Sequence, residues 1–236
     1  LLPFEPPLMT AAGMSCDFVG HPVVAEPVAD AAQVAAFAAR NGLGGPWLLA
    51  LPGSRKGEVA RLAPVIGQVL ATLPPMPVVV PTVRGVAGMV RALVADWPMR
   101  PLIVTDADDK RAAFAGARAA LAASGTVSLE LAANGVPMVI AYDMNLLSRF
   151  VIARMLKVDT VTLVNLVSDT RAVPEFLGAR CRADLIAPAL AGLLPDGPAR
   201  AAQMAAMATT MHRLGRGGEA PGLRAARSVL AAVARA

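Results

Sequence analysis

Residues Ala119–Asp143, AALAASGTVSLELAANGVPMVIAYD, define one folding unit by themselves. The apolar run Ala119–Ala123 reads as a buried strand, and Ser124-Gly125-Thr126 breaks it. A helical run follows, with Val127, Leu129, Leu131 and Ala132 apolar, and it stops at Asn134-Gly135. Pro137 then opens a second apolar strand, Met138–Tyr142. Strand, turn, helix and strand in that order make a βαβ unit with a right-handed crossover. Its small-residue turn leaves the first helical N–H groups free at the carboxyl end of a strand. Orphan donors and the positive end of the helix dipole coincide there, which suits an anion. Glu130 sits one turn into the helix, within reach of a sugar hydroxyl beside such an anion. A plain Ser/Thr N-cap on an ordinary helix accounts for the same three residues.

The same alternation continues in both directions. Trp47–Leu51 reads as a strand, Pro52–Gly57 as a glycine-bearing turn and Glu58–Leu73 as a helix with an apolar stripe. Gly53 permits close backbone approach, Ser54 offers a hydroxyl, and Arg55 offers the donor fork best matched to phosphate. The turn lacks P-loop spacing, and a solvated turn is its other reading. Pro77–Val80 and Pro101–Val104 are further strands, with Val83–Ala95 and Lys110–Gly116 as helices. Asp106, Asp108 and Asp109 between them read as the acidic start of a helix, ahead of a metal or catalytic-base reading. Thr160–Leu163 reads as another strand, with Asn165 beyond it to donate to a phosphate or sugar or to cap the turn. Pro174–Leu177, Arg182–Leu194, Pro198–Leu214 and Ala220–Ala236 read as helices. At the start, residues 1–40 read as a Pro-rich connector with a short strand at Cys16–Gly20, a packed turn at His21 and a helix at Asp30–Arg40. Five or six strands alternating with helices predict an α/β fold with a doubly wound parallel sheet. Its ligand belongs at strand carboxyl ends near a topological switch point. Ser54, Arg55, Ser124-Gly125-Thr126, Glu130 and Asn165 all fall there.

Composition narrows the function. A chain of 236 residues that is 56% hydrophobic and 17% charged buries a large core, which excludes intrinsic disorder. The net charge of +5 is spread along the chain, and aromatics make up 4%, so nucleic-acid binding has little support. A mild basic balance suits phosphorylated small molecules or an anionic membrane surface. Cys16 and Cys181 stand alone, as do His21 and His212, so no metal site is expected and the thiols fit a reducing cytosol. No apolar segment is long enough to span a bilayer. Leu146–Leu156, with Arg149, Arg154 and the following Lys157, reads as core packing or as a basic-apolar surface for lipid or for a second copy in a homodimer.

Several stretches together resemble the lipid-A-disaccharide synthases, glycosyltransferases of the two-domain GT-B type. They are LLPFE (Leu1–Glu5), FVGHP (Phe18–Pro22), LALPGSRKGEV (Leu49–Val59), ASGTVSLELA (Ala123–Ala132), GVPMVIAYDM (Gly135–Met144) and RMLKVDTVTLVNLV (Arg154–Val167). The resemblance implies the C-terminal, Rossmann-like half of such an enzyme. Residues 1–40 then end an N-terminal domain and linker, 41–200 bind the nucleotide sugar, and 201–236 are C-terminal helices. It implies transfer from a UDP-linked diacylglucosamine to diacylglucosamine 1-phosphate, with no cofactor or metal, in the cytoplasm at the inner membrane surface of a Gram-negative bacterium. The positions that match UDP-binding ones are Ser54, Arg55, Ser124, Gly125, Thr126, Glu130 and Asn165. Val164 stands where the family usually has Pro. The acceptor pocket and general base are expected in a domain upstream of Leu1, so no catalytic residue is assigned. A UDP-sugar 2-epimerase, using the Asp106–Asp109 carboxylates, and a non-catalytic interaction module are the rival readings.

Overall fold

A computed structural model describes residues 1–143 and 159–234. The Leu146–Leu156 segment therefore lies outside the described residues. Six strands form one sheet: β1 (Trp47–Leu51), β2 (Val78–Pro81), β3 (Leu102–Val104), β4 (Ala117–Ala123), β5 (Met138–Tyr142) and β6 (Glu175–Leu177). They lie in the order β3-β2-β1-β4-β5-β6, and every neighbouring pair is parallel. The sheet starts at β1, and the chain winds outward through β2 to β3, then returns to the other side of β1 for β4. Strand order reverses at the β1–β4 pair.

Both faces of the sheet are covered, which explains why its strands read as unbroken apolar runs. Alternate residues feed two separate cores. Leu49, Ala120, Ala122, Met138 and Ile140 face one; Leu48, Ala50, Leu121, Val139 and Ala141 face the other. On the first side lie α2 (Ala31–Arg40), α5 (Ala107–Ala115), α6 (Val127–Ala133), α7 (Leu163–Ser168) and α9 (Pro198–Arg213). On the second lie α3 (Lys56–Leu70), α4 (Ala87–Leu93) and α8 (Ala183–Ala191). Helices α1 (Glu5–Ala11) and α10 (Pro221–Val233) flank this body. No described helix is long and apolar enough to cross a membrane.

Local chemistry explains most of the boundaries. Asp30 caps α2 reciprocally with Gln33, and Asp106 Oδ1 accepts from the backbone of Asp108 and Asp109 to start α5. The three aspartates therefore form the acidic helix start. Pro6 and Pro7 sit in the first turn of α1, where a missing N–H does no harm, so a helix stands where a Pro-rich connector was expected.

Three other expectations fail. Cys16–Gly20 forms no strand. Thr160–Leu163 forms none either, because the Glu175 carboxylate takes the donors a ladder would need: Val161 N at 3.1 Å, Thr162 N at 2.5 Å and Thr160 Oγ1 at 2.7 Å. Pro174–Leu177, expected as a helix, instead supplies the edge strand β6, where a leading Pro is tolerated.

Contact between α5 and the start of β4 depends on Gly116. Trp47, buried and hydrogen-bonded from Nε1 to Ala113 O at 2.8 Å, lies against it, with Phe37 5.7 Å away ring to ring. A Cβ on Gly116 would overlap the Trp47 ring and stand 2.6 Å from Val34 Cγ1. Gly116→Ala is therefore expected to destabilise the fold by about 1–3 kcal/mol, the usual cost of overpacking. Urea unfolding followed by Trp fluorescence reads this as a lowered midpoint.

Candidate functional site

A cavity of about 410 Å³ opens at the carboxyl ends of β1, β2 and β4, beside the point where strand order reverses. That is where the topology of an open parallel sheet leaves a crevice. Its walls come from three strand-to-helix turns and from one face of α5.

The first turn, Gly53-Ser54-Arg55, joins β1 to α3. Gly53 has φ of +113°, and a Cβ there would lie 2.6 Å from Glu58 Cβ, so both backbone and space require glycine. Glu58 folds back from the first turn of α3. Its carboxylate accepts from Ser54 N (3.2 Å), Arg55 N (3.3 Å) and Arg55 Nη1 (2.7 Å). The hydrogen bond to Glu58 holds the Arg55 guanidinium above the usual arginine range. The Glu58 side chain is nearly buried, whereas that of Arg55 is 81% exposed at the cavity mouth. Arg55 is thus anchored at one nitrogen and presents the rest of its fork outward.

The second turn, Ser124-Gly125-Thr126, joins β4 to α6. Gly125 has φ of +146° and open space around it, so only its backbone conformation calls for glycine. Ser128 donates from N and Oγ to Gly125 O, and Leu129 N donates to Thr126 O. The N–H groups of Gly125, Thr126 and Val127 stand ahead of these bonds. Thr126 occupies the N-cap position, yet its side chain makes no capping bond. An ordinary hydroxyl cap therefore does not account for this turn.

Glu130 lines the cavity one turn further on, its Oε2 2.6 Å from Lys110 Nζ. A turn of donors followed by an ionised acceptor suits a ligand that carries an anion next to hydroxyl groups.

The structure thus brings Ser54, Arg55, Ser124, Gly125, Thr126 and Glu130 to one cavity. Asn165 is not among its walls. It lies buried in α7, donating from Nδ2 to Val173 O (2.9 Å) and Thr160 Oγ1 (3.1 Å) and accepting from Val173 N (3.0 Å). Those bonds occupy the amide in holding the 170–173 turn. His21 is also a structural residue. Its Nδ1 accepts from Val23 N at 3.1 Å to cap a short helical turn, and burial lowers its pKa. Among the described residues, no cluster of His, Cys, Asp or Glu is arranged to hold a metal.

Three polar wall residues, Glu58, Thr82 and Lys110, escaped the sequence reading. Thr82 follows β2 directly, and its buried Oγ1 has no protein partner. The rule that selects residues just past a strand's carboxyl end would have found it. Lys110 lies among the Asp-rich residues of α5, where only its side chain's distant partner reveals a role.

Comparison with known proteins bears on the family and the fold. A model of the lipid-A-disaccharide synthetase family matches residues 1–220. A lipid-A-disaccharide synthase of Ruegeria pomeroyi is 58% identical across 98% of this chain and 60% of its own length. One from Rhodospirillum centenum is 44% identical across 98% of the chain and 59% of its own length. The chain thus spans about three-fifths of these relatives. Among solved structures, Anabaena Alr3699/HepE, determined in complex with UDP and glucose, superposes with a TM-score of 0.59. That likeness covers 90% of this chain and 55% of the other at 10% identity, and so concerns the fold alone. By the family model over residues 1–220 and by relatives 58% and 44% identical across 98% of its length, the chain belongs to the lipid-A-disaccharide synthase family.

Proposed function

We propose that the chain is the donor-binding part of a glycosyltransferase that joins UDP-2,3-diacylglucosamine to 2,3-diacylglucosamine 1-phosphate. The products are lipid A disaccharide 1-phosphate and UDP. One observation carries this reading: in a chain of this family, two strand-end turns and Glu130 converge on a single cavity at the switch point. In it, the donor's pyrophosphate sits against the Ser124-Gly125-Thr126 turn, Arg55 closes over the phosphates beside Ser54, and Glu130 takes ribose hydroxyls. Asn165 is left out, since its amide is already spent. Residues 1–40, 41–200 and 201–236 as linker, nucleotide-sugar region and C-terminal helices belong to the same proposal.

In the transfer, an acceptor hydroxyl attacks C1 of the donor sugar. The new O–C1 bond forms as the bond from C1 to the pyrophosphate oxygen breaks, and the acceptor's proton passes to a base. That base is assigned to none of the described residues. Negative charge grows on the departing UDP. Backbone donors at α6 and the Arg55 guanidinium meet this charge without solvent having to reorganise. One well-placed donor of this kind is worth roughly 3 kcal/mol of barrier. Lipid substrates on both sides of the reaction support a peripheral enzyme at the inner membrane surface, and a UDP-linked donor supports its cytoplasmic face.

The epimerase reading needs carboxylates around the sugar. Asp106 instead caps α5, Asp108 pairs with Arg111, and Asp109 pairs with Arg40, all outside the cavity walls.

Titration of the chain with UDP by calorimetry tests the proposal. Saturable binding is expected, with Arg55→Ala weakening it by about an order of magnitude through loss of charge-assisted contacts. Glu58→Ala is expected to weaken binding by a smaller factor, about threefold, because Arg55 loses its anchor and must be ordered on binding. Absence of binding at millimolar UDP would count against the site.

A further inference from the structure

We propose that Lys110 is a positioning residue for nucleotide recognition, fixing the Glu130 carboxylate so that ribose is preferred to deoxyribose. This rests on the reading of the cavity as a UDP site. The main cavity shares one wall with a second, of about 250 Å³, and Lys110, Phe114 and Glu130 form that wall. Lys110 reaches across from α5 to α6, placing Nζ 2.6 Å from Glu130 Oε2 and 5.2 Å from the centre of the buried Phe114 ring. Salt bridge and ring together hold a flexible ammonium in one place.

The acids nearest to Lys110 on its own helix are engaged elsewhere. Asp106 caps the helix, Asp108 pairs with Arg111, and Asp109 pairs with Arg40. Glu130 is thus the acid that receives Lys110. The Lys110 and Glu130 side chains are 45% and 29% exposed, so the pair adds little to stability. Its consequence is geometric. An ionised carboxylate accepts at two oxygens. With Oε2 tied to Lys110, Oε1 is left as the acceptor for a vicinal hydroxyl, and the side chain's rotamer is set before the ligand arrives.

The readout is a ratio in which general charge effects cancel, because UDP and 2′-deoxy-UDP carry the same charge. Calorimetric titration of the full 236-residue chain is expected to give about tenfold tighter binding of UDP than of 2′-deoxy-UDP, the worth of one charge-assisted hydrogen bond. Lys110→Met is expected to reduce that ratio to about twofold, as Glu130→Gln does, while Lys110→Arg retains it. Thermal unfolding of each variant shows that the fold is intact. If Lys110→Met weakens both ligands equally and leaves the ratio unchanged, Lys110 is only a general attractor of anions, and the inference is overturned while the UDP reading stands. If the unaltered chain binds no UDP, that reading fails and takes this inference with it.

Discussion

The architecture depends on the parallel pairing of β1 with β4, from Trp47 opposite Ala117 to Leu51 opposite Ala122. All five residues of β1 and the last five of β4 are buried, so every polar backbone group there must find its partner in the sheet. The strands on either side of this pair extend the sheet in opposite directions, and their helices cannot close over it. The crevice that results is a consequence of topology. The chain then furnishes it with two turns whose glycines adopt positive φ, at Gly53 and Gly125.

Sequence made this centre legible for a physical reason. Strands buried on both faces must be continuously apolar, and β1, β5 and the buried residues 119–123 of β4 are, with Pro or Gly near their borders. Alanine favours helix on its own, yet β4 is largely alanine. Burial between two helical layers overrides that preference, because small side chains let both layers approach the central strand. The edge was less legible. β6 has three residues and follows a proline, too short for a period to show. The β-branched run at 160–162 has the composition of a strand, but a carboxylate 13 to 15 residues away claims its donors. Misplacing that strand also misplaced Asn165, which had been set at its carboxyl end as well as matched to the family's site.

Within the site, side chains projecting from turns could be chosen from sequence, while the acids and bases that hold them were harder to find. Glu58 had a local signal, since a Glu at the third helical position commonly reaches back to the cap. Lys110 had none, because its partner is 20 residues away on another helix.

Both devices share one physical logic. The Gly53-Ser54-Arg55 turn gathers backbone donors and a guanidinium, and the chain satisfies them with its own Glu58. Across the cavity, Glu130 is satisfied by Lys110. Each group proposed to meet the ligand is thus held by an internal partner of opposite charge, which restrains its side chain ahead of binding. Neither partner has to leave for a ligand to bind, because a guanidinium has further donors and a carboxylate a second oxygen. Ordering of this kind matters most when charge develops late, on a departing diphosphate, since donors already in place lower the barrier more than donors that must first be gathered.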